Sequence, residues 1–223
     1  MSRSWFLLLT SFAVAAQAAP PGTVEIAYEV RRNDTTVADA VHRLEHDGRS
    51  YLLTESWRGR GIFALRGSAR RTSRGVVVAE GLRPLEYLDE RSGRDTARAA
   101  FDWSAKTVTL QYREGPRQVP LPARPHDRLA FLFDFSFVPP KKPEVVLDIA
   151  DGRGISHQVY RVGPRETVRT PAGEFAAIRL TRTKEDERAD IWLAVQRHYL
   201  PVRMVITGKD GVIEQVATRL TVQ

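Results

Sequence analysis

The 223-residue chain has no cysteine, only five histidines, and only five lysines (106, 141, 142, 184 and 209) among its 34 basic residues. The missing cysteine excludes a disulfide framework, a thiolate metal site and a cysteine nucleophile. The sequence also lacks a Gly-x-Ser-x-Gly elbow and a phosphate-binding glycine loop. These absences remove the commonest local signatures of an enzyme, and no catalytic residue, metal or cofactor is predicted.

Long hydrophobic runs are missing as well, except at the N-terminus. There Arg3 precedes the apolar block WFLLLTSFAVAA, and small residues surround Gln17 in the motif AQA. This pattern predicts a signal peptide at residues 1–18, cleaved after Ala18, and one domain over residues 19–223. The alternative, a retained anchor, is disfavoured because a spanning helix needs about 20 apolar residues. We therefore expect a periplasmic protein that carries no lipid anchor or transmembrane segment once processed.

The net charge is +7, and arginine supplies most of it. The arginines are scattered and alternate with acids, so they form no basic run typical of a nucleic-acid site. We interpret them as a solvated surface and expect no nucleic-acid partner. An excess of this sign still leaves anionic amphiphiles as an alternative partner class.

Period-2 alternation dominates the chain. The segment VEIAYEV (24–30) alternates, and AVHRLEHDGRSYLLTESW (40–57) is typical of a hairpin with Asp47 and Gly48 at its tip. Further short alternating segments follow up to Val222. The pattern predicts a mainly β fold: a single strongly curved antiparallel sheet or half-barrel of about a dozen strands.

One segment, HDRLAFLFDFSF (126–137), favours a short helix packed on that sheet. Asp127 can cap its start, and Pro139 and Pro140 end it. Its phenylalanines also alternate, so a strand remains the alternative.

The stretch TPAGEF (170–175) lies between two alternating segments. Pro171 suits the second position of a tight turn, and Gly173 can adopt a left-handed conformation that closes a hairpin. We therefore predict a turn, and a lone acid such as Glu174 is not a catalytic candidate.

Several motifs occur together in a recognisable order: SRGVVVAEGLRPLEYLDER, AAFDW, HDRLAFLF, TPAGEF with IRL, and DIWLAVQRHYLPVRM. In this order they resemble the domain of unknown function 3108 family of exported bacterial proteins, over most of residues 24–221. The resemblance implies a mostly antiparallel protein without assigned activity, similar to the curved half-barrel of periplasmic lipoprotein carriers. An acid expected near Gln196 is missing, so no role tied to it is carried over.

The best local metal arrangement is His42, Glu45 and His46. On a helix the two histidines could share a zinc ion, but on a strand they lie about 13 Å apart. The strand prediction therefore disfavours a metal site.

Aromatic side chains are the remaining candidates for function. They form either the core or the lining of a concave pocket for an apolar or anionic amphipathic ligand. For the pocket we predict Trp192, Phe131 and Phe133 as lining residues, with Arg197 and Arg203 at the rim. Two other functions stay open: an assembly protein that holds an envelope protein partner, and a glycan hydrolase that uses two carboxylates from distant strands.

Overall fold

The computed structural model describes residues 20–223, so the predicted signal peptide at residues 1–18 lies outside the described residues. Strands make up most of the described chain. They are β1 (Thr23–Arg32), β2 (Thr35–His46), β3 (Ser50–Gly59), β4 (Ser68–Val78), β5 (Gly81–Arg91), β6 (Ala97–Asp102), β7 (Thr107–Gln111), β8 (Pro116–Pro120), β9 (Pro125–Asp127), β10 (Glu144–Ala150), β11 (Ile155–Thr170), β12 (Gly173–Lys184), β13 (Glu187–Ala194), β14 (Leu200–Gly208) and β15 (Gly211–Val222). One α-helix, α1 (Ala130–Asp134), and two 3₁₀ segments, Gly61–Arg66 and Val195–Arg197, complete the described elements.

All fifteen strands belong to one sheet, in the order β8-β7-β6-β5-β4-β3-β2-β1-β15-β14-β13-β12-β11-β10-β9. Neighbours run antiparallel except β9 and β10, which are parallel. The sheet stays open, with β8 and β9 as its edges. The predicted mainly antiparallel β fold is confirmed, with fifteen strands rather than about a dozen.

Alternation sets the inner face of the sheet. In β1, Val24, Ile26, Tyr28 and Val30 are at most 1% exposed, while the residues between them are only partly buried. Because successive side chains of a strand point to opposite faces, this face carries the core and the other faces solvent.

The predicted turns are confirmed. Asp47 Oδ1 accepts hydrogen bonds from the backbone N–H groups of Arg49 (2.8 Å) and Ser50 (2.7 Å), and Gly48 has φ +81°. The side chain thus replaces strand hydrogen bonds at the tip of the β2–β3 hairpin. In TPAGEF, Pro171 and Ala172 form the two-residue loop between β11 and β12.

The predicted helix is present but shorter than residues 126–137. Asp127 Oδ1 accepts hydrogen bonds from the N–H groups of Leu129 and Ala130, both at 2.8 Å, so the carboxylate satisfies the first free donors of α1. The residues before this cap, Pro125–Asp127, are extended and pair with β10 as β9. The alternative of a strand through the phenylalanines is wrong.

The position of α1 shows that the sheet curves. The helix packs against β5, β9 and β14, and five strands separate β5 from β14 in the sheet order. On a flat sheet these two strands would lie about 29 Å apart, at about 4.8 Å per strand. A five-residue helix is only about 7.5 Å long. The sheet therefore wraps around α1 as an open half-barrel. Within residues 20–223, no helix has both the length and the apolar character needed to cross a bilayer.

Candidate functional site

A row of charged side chains crosses the inner face of the half-barrel. It consists of His42 on β2, Glu55 on β3, Arg71 on β4 and Asp89 on β5, and we call these four residues the polar ladder. Each is the direct register partner of the next. Their side chains are 1%, 3%, 11% and 0% exposed, respectively. Four ionisable groups are thus buried where the alternation of the neighbouring strands would place apolar residues.

Contacts run along the whole ladder. His42 Nε2 lies 2.9 Å from Glu55 Oε1, and Arg71 Nη1 donates to the other oxygen of Glu55. Arg71 Nε lies 3.4 Å from Asp89 Oδ1. On the far side of the imidazole ring, His42 Nδ1 is buried and has no hydrogen-bond partner among the described residues. The ladder therefore ends in an unsatisfied polar atom at β2.

Further arginines surround Asp89 at the other end. Arg91 Nη2 lies 2.8 Å from Asp89 Oδ2, and Arg153 Nη1 approaches the same oxygen to 3.2 Å from the β10–β11 turn. Arg153 Nη1 also lies 3.8 Å from Asp151 Oδ2, so at this end of the ladder three arginines meet three carboxylates, those of Glu55, Asp89 and Asp151.

Burial and charge act in opposite directions on the two carboxyl groups. Burial by itself would raise the pKa of Glu55, but His42 and Arg71 hold that pKa well below its usual range. Burial would likewise raise the pKa of Asp89, whereas its hydrogen bond with Arg91 and the charge of Arg71 lower it. Both acids are consequently ionised at neutral pH, so neither can act as a general acid.

Three ladder residues, His42, Glu55 and Arg71, line a cavity of about 750 Å³ between the two halves of the sheet. One wall comes from β2 to β5 and the opposite wall from β10 to β15, while the segment that contains α1 forms the floor. The apolar lining includes Leu129, Phe131, Leu132, Ile149, Ile191, Met204 and Ile206. The basic lining includes Arg71, Arg91, Arg128, Arg182 and Lys184, and the acidic lining includes Glu55, Asp151, Glu185, Glu187 and Asp190.

Arg128 differs from the ladder arginines. It lies on the floor of the cavity, is exposed, and has no carboxylate within ion-pair distance in the part of the chain described here. Its charge is therefore free to meet a ligand. Arg182, across the cavity, pairs with the exposed Glu187, and its buried Nε has no hydrogen-bond partner within residues 20–223.

A second cavity, of about 570 Å³, lies beside the outer end of α1 and is lined in part by Trp103, His126 and Asp134. His126 Nε2 lies 3.2 Å from Asp134 Oδ2, and Asp134 Oδ1 accepts a hydrogen bond from the Leu82 backbone N–H at 2.6 Å. These contacts fasten α1 and β9 to β5. His126 and Asp134 are thus already used by the fold.

Asp127 is another buried acid with a structural role. Besides the two backbone N–H groups of α1, its carboxylate accepts a hydrogen bond from Ser73 Oγ at 2.5 Å, and Ser73 in turn lies 3.1 Å from Tyr51 Oη. Burial raises the pKa of Asp127 to about 6, although these hydrogen bonds oppose the shift. The residue joins edge strand β9 to β4.

The five predicted ligand-binding residues lie in different places. Phe131 lines the large cavity, with its ring centroid 6.2 Å from that of Tyr160. Phe133 is fully buried in the core, with its ring centroid 6.1 Å from the His42 ring. Arg197 is exposed on the 3₁₀ segment Val195–Arg197 and is not among the residues that line either cavity.

Trp192 and Arg203 meet each other rather than the cavity. The Arg203 guanidinium lies 4.9 Å from the centroid of the Trp192 ring, and Trp192 Nε1 donates to Glu166. Trp192 alternates with Ile191, which lines the cavity, so its side chain lies on the opposite face of β13. The structure thus places both residues outside the predicted pocket.

The histidines considered for metal binding are also separated. His42 belongs to the polar ladder, whereas His46 Nε2 lies 3.0 Å from the carbonyl oxygen of Pro21. Across residues 20–223, no group of three or more His, Cys, Asp or Glu side chains could hold a metal ion.

Sequence reasoning missed Glu55, Arg71 and Asp89. A signal was present: Glu55 has the same parity as the apolar Tyr51 and Leu53, which are both buried in β3. An acidic residue at a core-facing position of a strand predicts a buried polar partner on the neighbouring strand.

Comparisons with known proteins bear on the fold and not on an activity. Among solved structures, the chain is similar to the beta-barrel-like protein of domain of unknown function DUF1849 from Brucella abortus, with a TM-score of 0.61 and 9% identity over 92% of this chain and 100% of that one. At this identity the likeness shows the fold alone. No curated protein matches the chain. The family described as protein of unknown function (DUF3108) matches residues 23–218, nearly the whole chain, and the protein belongs to that family.

Proposed function

We propose that this protein is a non-enzymatic binder of an amphipathic ligand that carries an apolar chain and an anionic head group. The ligand occupies the large cavity of the half-barrel. The observation that carries the proposal is the composition of this cavity, which combines arginine side chains, among them the unpaired Arg128, with an apolar floor and far wall.

The cavity has a suitable size. Its volume of about 750 Å³ falls within the range of about 300 to 1,000 Å³ that is typical of small-molecule sites. Phe131, Met204 and Ile206 offer apolar contact to a chain.

An exposed and unpaired arginine favours an anionic head group. Arg128 lines the cavity and has no carboxylate within ion-pair distance among the described residues. Arginine binds carboxylate and phosphate groups through paired N–H donors. We therefore place the head group near Arg128 and the chain along the apolar wall.

The hydrolase alternative is less well supported by the ladder. Glycosidases need one carboxyl group that is protonated before the reaction and one that is ionised. The neighbouring arginines keep both Glu55 and Asp89 ionised. A protein that served only in assembly would not need charged groups inside the cavity.

The proposed ligand fits the expected location. An exported protein with an open half-barrel could carry an amphiphile through the periplasm, as the resemblance to lipoprotein carriers suggested. Native mass spectrometry and lipid extraction of protein purified from its own periplasm test this directly. Co-purification of an anionic amphiphile is expected, and consistently empty protein would contradict the proposal.

Charge reversal at Arg128 provides a sharper test. Binding of cis-parinaric acid, a fluorescent fatty acid, should weaken by at least roughly tenfold in Arg128→Glu, whereas binding of a fatty alcohol should change little. Arg49→Glu is the matched control, because Arg49 is an exposed arginine in the β2–β3 turn. Equal loss for acid and alcohol would refute the head-group assignment.

A further inference from the structure

The connection between β3 and β4 exposes two large apolar side chains. Ile62 is 78% exposed and Leu65 is 90% exposed, both on the 3₁₀ segment Gly61–Arg66. The other exposed large apolar side chains within residues 20–223 reach at most 43%. A solitary exposed leucine is ordinary, but two such residues on one short segment indicate a contact surface.

This segment is held in place by backbone hydrogen bonds. Arg60 N–H donates to the Val37 carbonyl on β2 at 2.9 Å, and Gly67 N–H donates to the Ala64 carbonyl at 3.1 Å. A Cβ atom at Gly59 would collide with the backbone of Phe63, so glycine is required for the chain to fold back here. Ile62 and Leu65 are therefore presented on an ordered support.

The segment lies at the mouth of the large cavity. Trp57 on β3 and Ala69 on β4 are register partners, and both line the cavity. The connection begins three residues beyond Trp57 and ends two residues before Ala69. Its apolar side chains are consequently next to the opening through which a ligand would pass.

Arginines dominate the charge of this part of the sequence. Residues 56–79 contain six arginines and no aspartate or glutamate. Three of these arginines, Arg60, Arg71 and Arg74, pair with carboxylates on neighbouring strands. Arg58 and Arg70, which flank the connection, are exposed and have no carboxylate within ion-pair distance in the described chain. An apolar tip with arginines beside it is typical of segments that enter the interface of an anionic membrane, where each basic residue near the surface contributes about 1 kcal/mol.

We propose that the β3–β4 connection docks the protein onto a membrane surface that contains anionic lipid, with the cavity mouth facing the bilayer. This inference rests on the proposed function, since it explains how an amphiphile enters the cavity. A protein partner fits less well, because a stable protein interface buries about 800 Å² on each partner. Two apolar side chains among arginines offer a much smaller apolar contact.

Vesicle co-sedimentation tests the docking with protein expressed from the full-length gene. The wild type should bind phosphatidylglycerol vesicles and bind phosphatidylcholine vesicles at least roughly tenfold more weakly, at about 0.15 M salt. Ile62→Ser with Leu65→Ser should lower binding to the anionic vesicles by at least roughly tenfold. The matched control is Leu85→Ser with Val159→Ser, which removes two exposed apolar side chains elsewhere and should stay within about twofold of the wild type.

Binding of cis-parinaric acid in vesicle-free solution separates this inference from the proposed function. The Ile62→Ser, Leu65→Ser variant should bind the probe as the wild type does, which also shows that it is folded. Docking is refuted if the wild type binds the probe but no vesicle, or if the variant sediments with vesicles as well as the wild type. Sedimentation without probe binding would instead overturn the cavity proposal and leave the docking surface supported.

Discussion

The polar ladder makes the most direct prediction, because replacing Arg71 by methionine removes the cation between Glu55 and Asp89. The arginine side chain is only 11% exposed, and the two carboxylates are 3% and 0% exposed. Removing one partner of a buried ion pair costs about 3 to 5 kcal/mol. Asp89 keeps two other arginine neighbours, so we expect a loss near the lower limit, about 3 kcal/mol of unfolding free energy.

The pH dependence of this loss identifies its cause. Without Arg71, the pKa of Glu55 should rise, because burial is then opposed only by His42 and by the indole N–H of Trp57. Glu55 would take up a proton as the pH falls, and the uncompensated charge would disappear. The loss in Arg71→Met should therefore be larger at about pH 7.5 than at about pH 5, which is still above the pKa of an unfolded glutamate.

Urea unfolding followed by tryptophan fluorescence and circular dichroism measures these free energies. Arg74→Met is the matched control, since Arg74 lies on the same strand but is 64% exposed in its pair with Glu86. That change should cost at most about 1 kcal/mol. Adding Glu55→Gln to Arg71→Met should recover part of the loss, because no unpaired carboxylate remains beside His42.

Two results would refute this reasoning. One is a cost for Arg71→Met no greater than that for Arg74→Met. The other is an equal cost at both pH values, which would mean that lost packing rather than an unpaired charge explains the loss.

Two further predictions concern stability. Asp127→Asn should match the wild type near pH 4 and exceed it by up to about 3 kcal/mol at neutral pH, as measured by urea unfolding. The reason is that the pKa of Asp127, about 6 in the folded state, lies above its value in the unfolded chain. The wild type therefore loses stability as the pH rises from the unfolded-state pKa to the folded-state pKa. A constant difference between the two proteins at all pH values would contradict this. Gly152→Ala should cost more than about 2 kcal/mol, because φ is +84° and a Cβ atom would lie 2.5 Å from the Arg98 backbone nitrogen. Gly48→Ala, also at positive φ but with nothing within 4 Å, should cost only about 1 kcal/mol in the same assay, and equal costs would show that close packing at Gly152 does not matter.

Local features of the fold could be predicted from the sequence. The alternation in β1 marks its buried face, and Asp47 with Gly48 closes the β2–β3 hairpin by hydrogen bonds within four residues. The cap at Asp127 was equally accessible, because its partners lie two and three residues away. Such features depend on neighbours in the chain.

The difference between the predicted position of Trp192, in the lining of the pocket, and its position in the structure has a physical reason. All six residues from Ala189 to Ala194 in β13 are buried, so both faces of this strand are covered. Alternation distinguishes two faces only where one of them meets solvent. Nothing local indicated that Trp192 points away from the hollow.

By itself, then, the sequence determined the strands, their turns and the single helical segment, because these follow from side-chain periodicity and from hydrogen bonds over a few residues. Only the tertiary structure decided which face became the hollow, and that His42, Glu55, Arg71 and Asp89 meet there in one row. Those contacts depend on the register of four strands at once and on the curvature that folds the sheet around α1. Both are set by the packing of residues far apart in the chain.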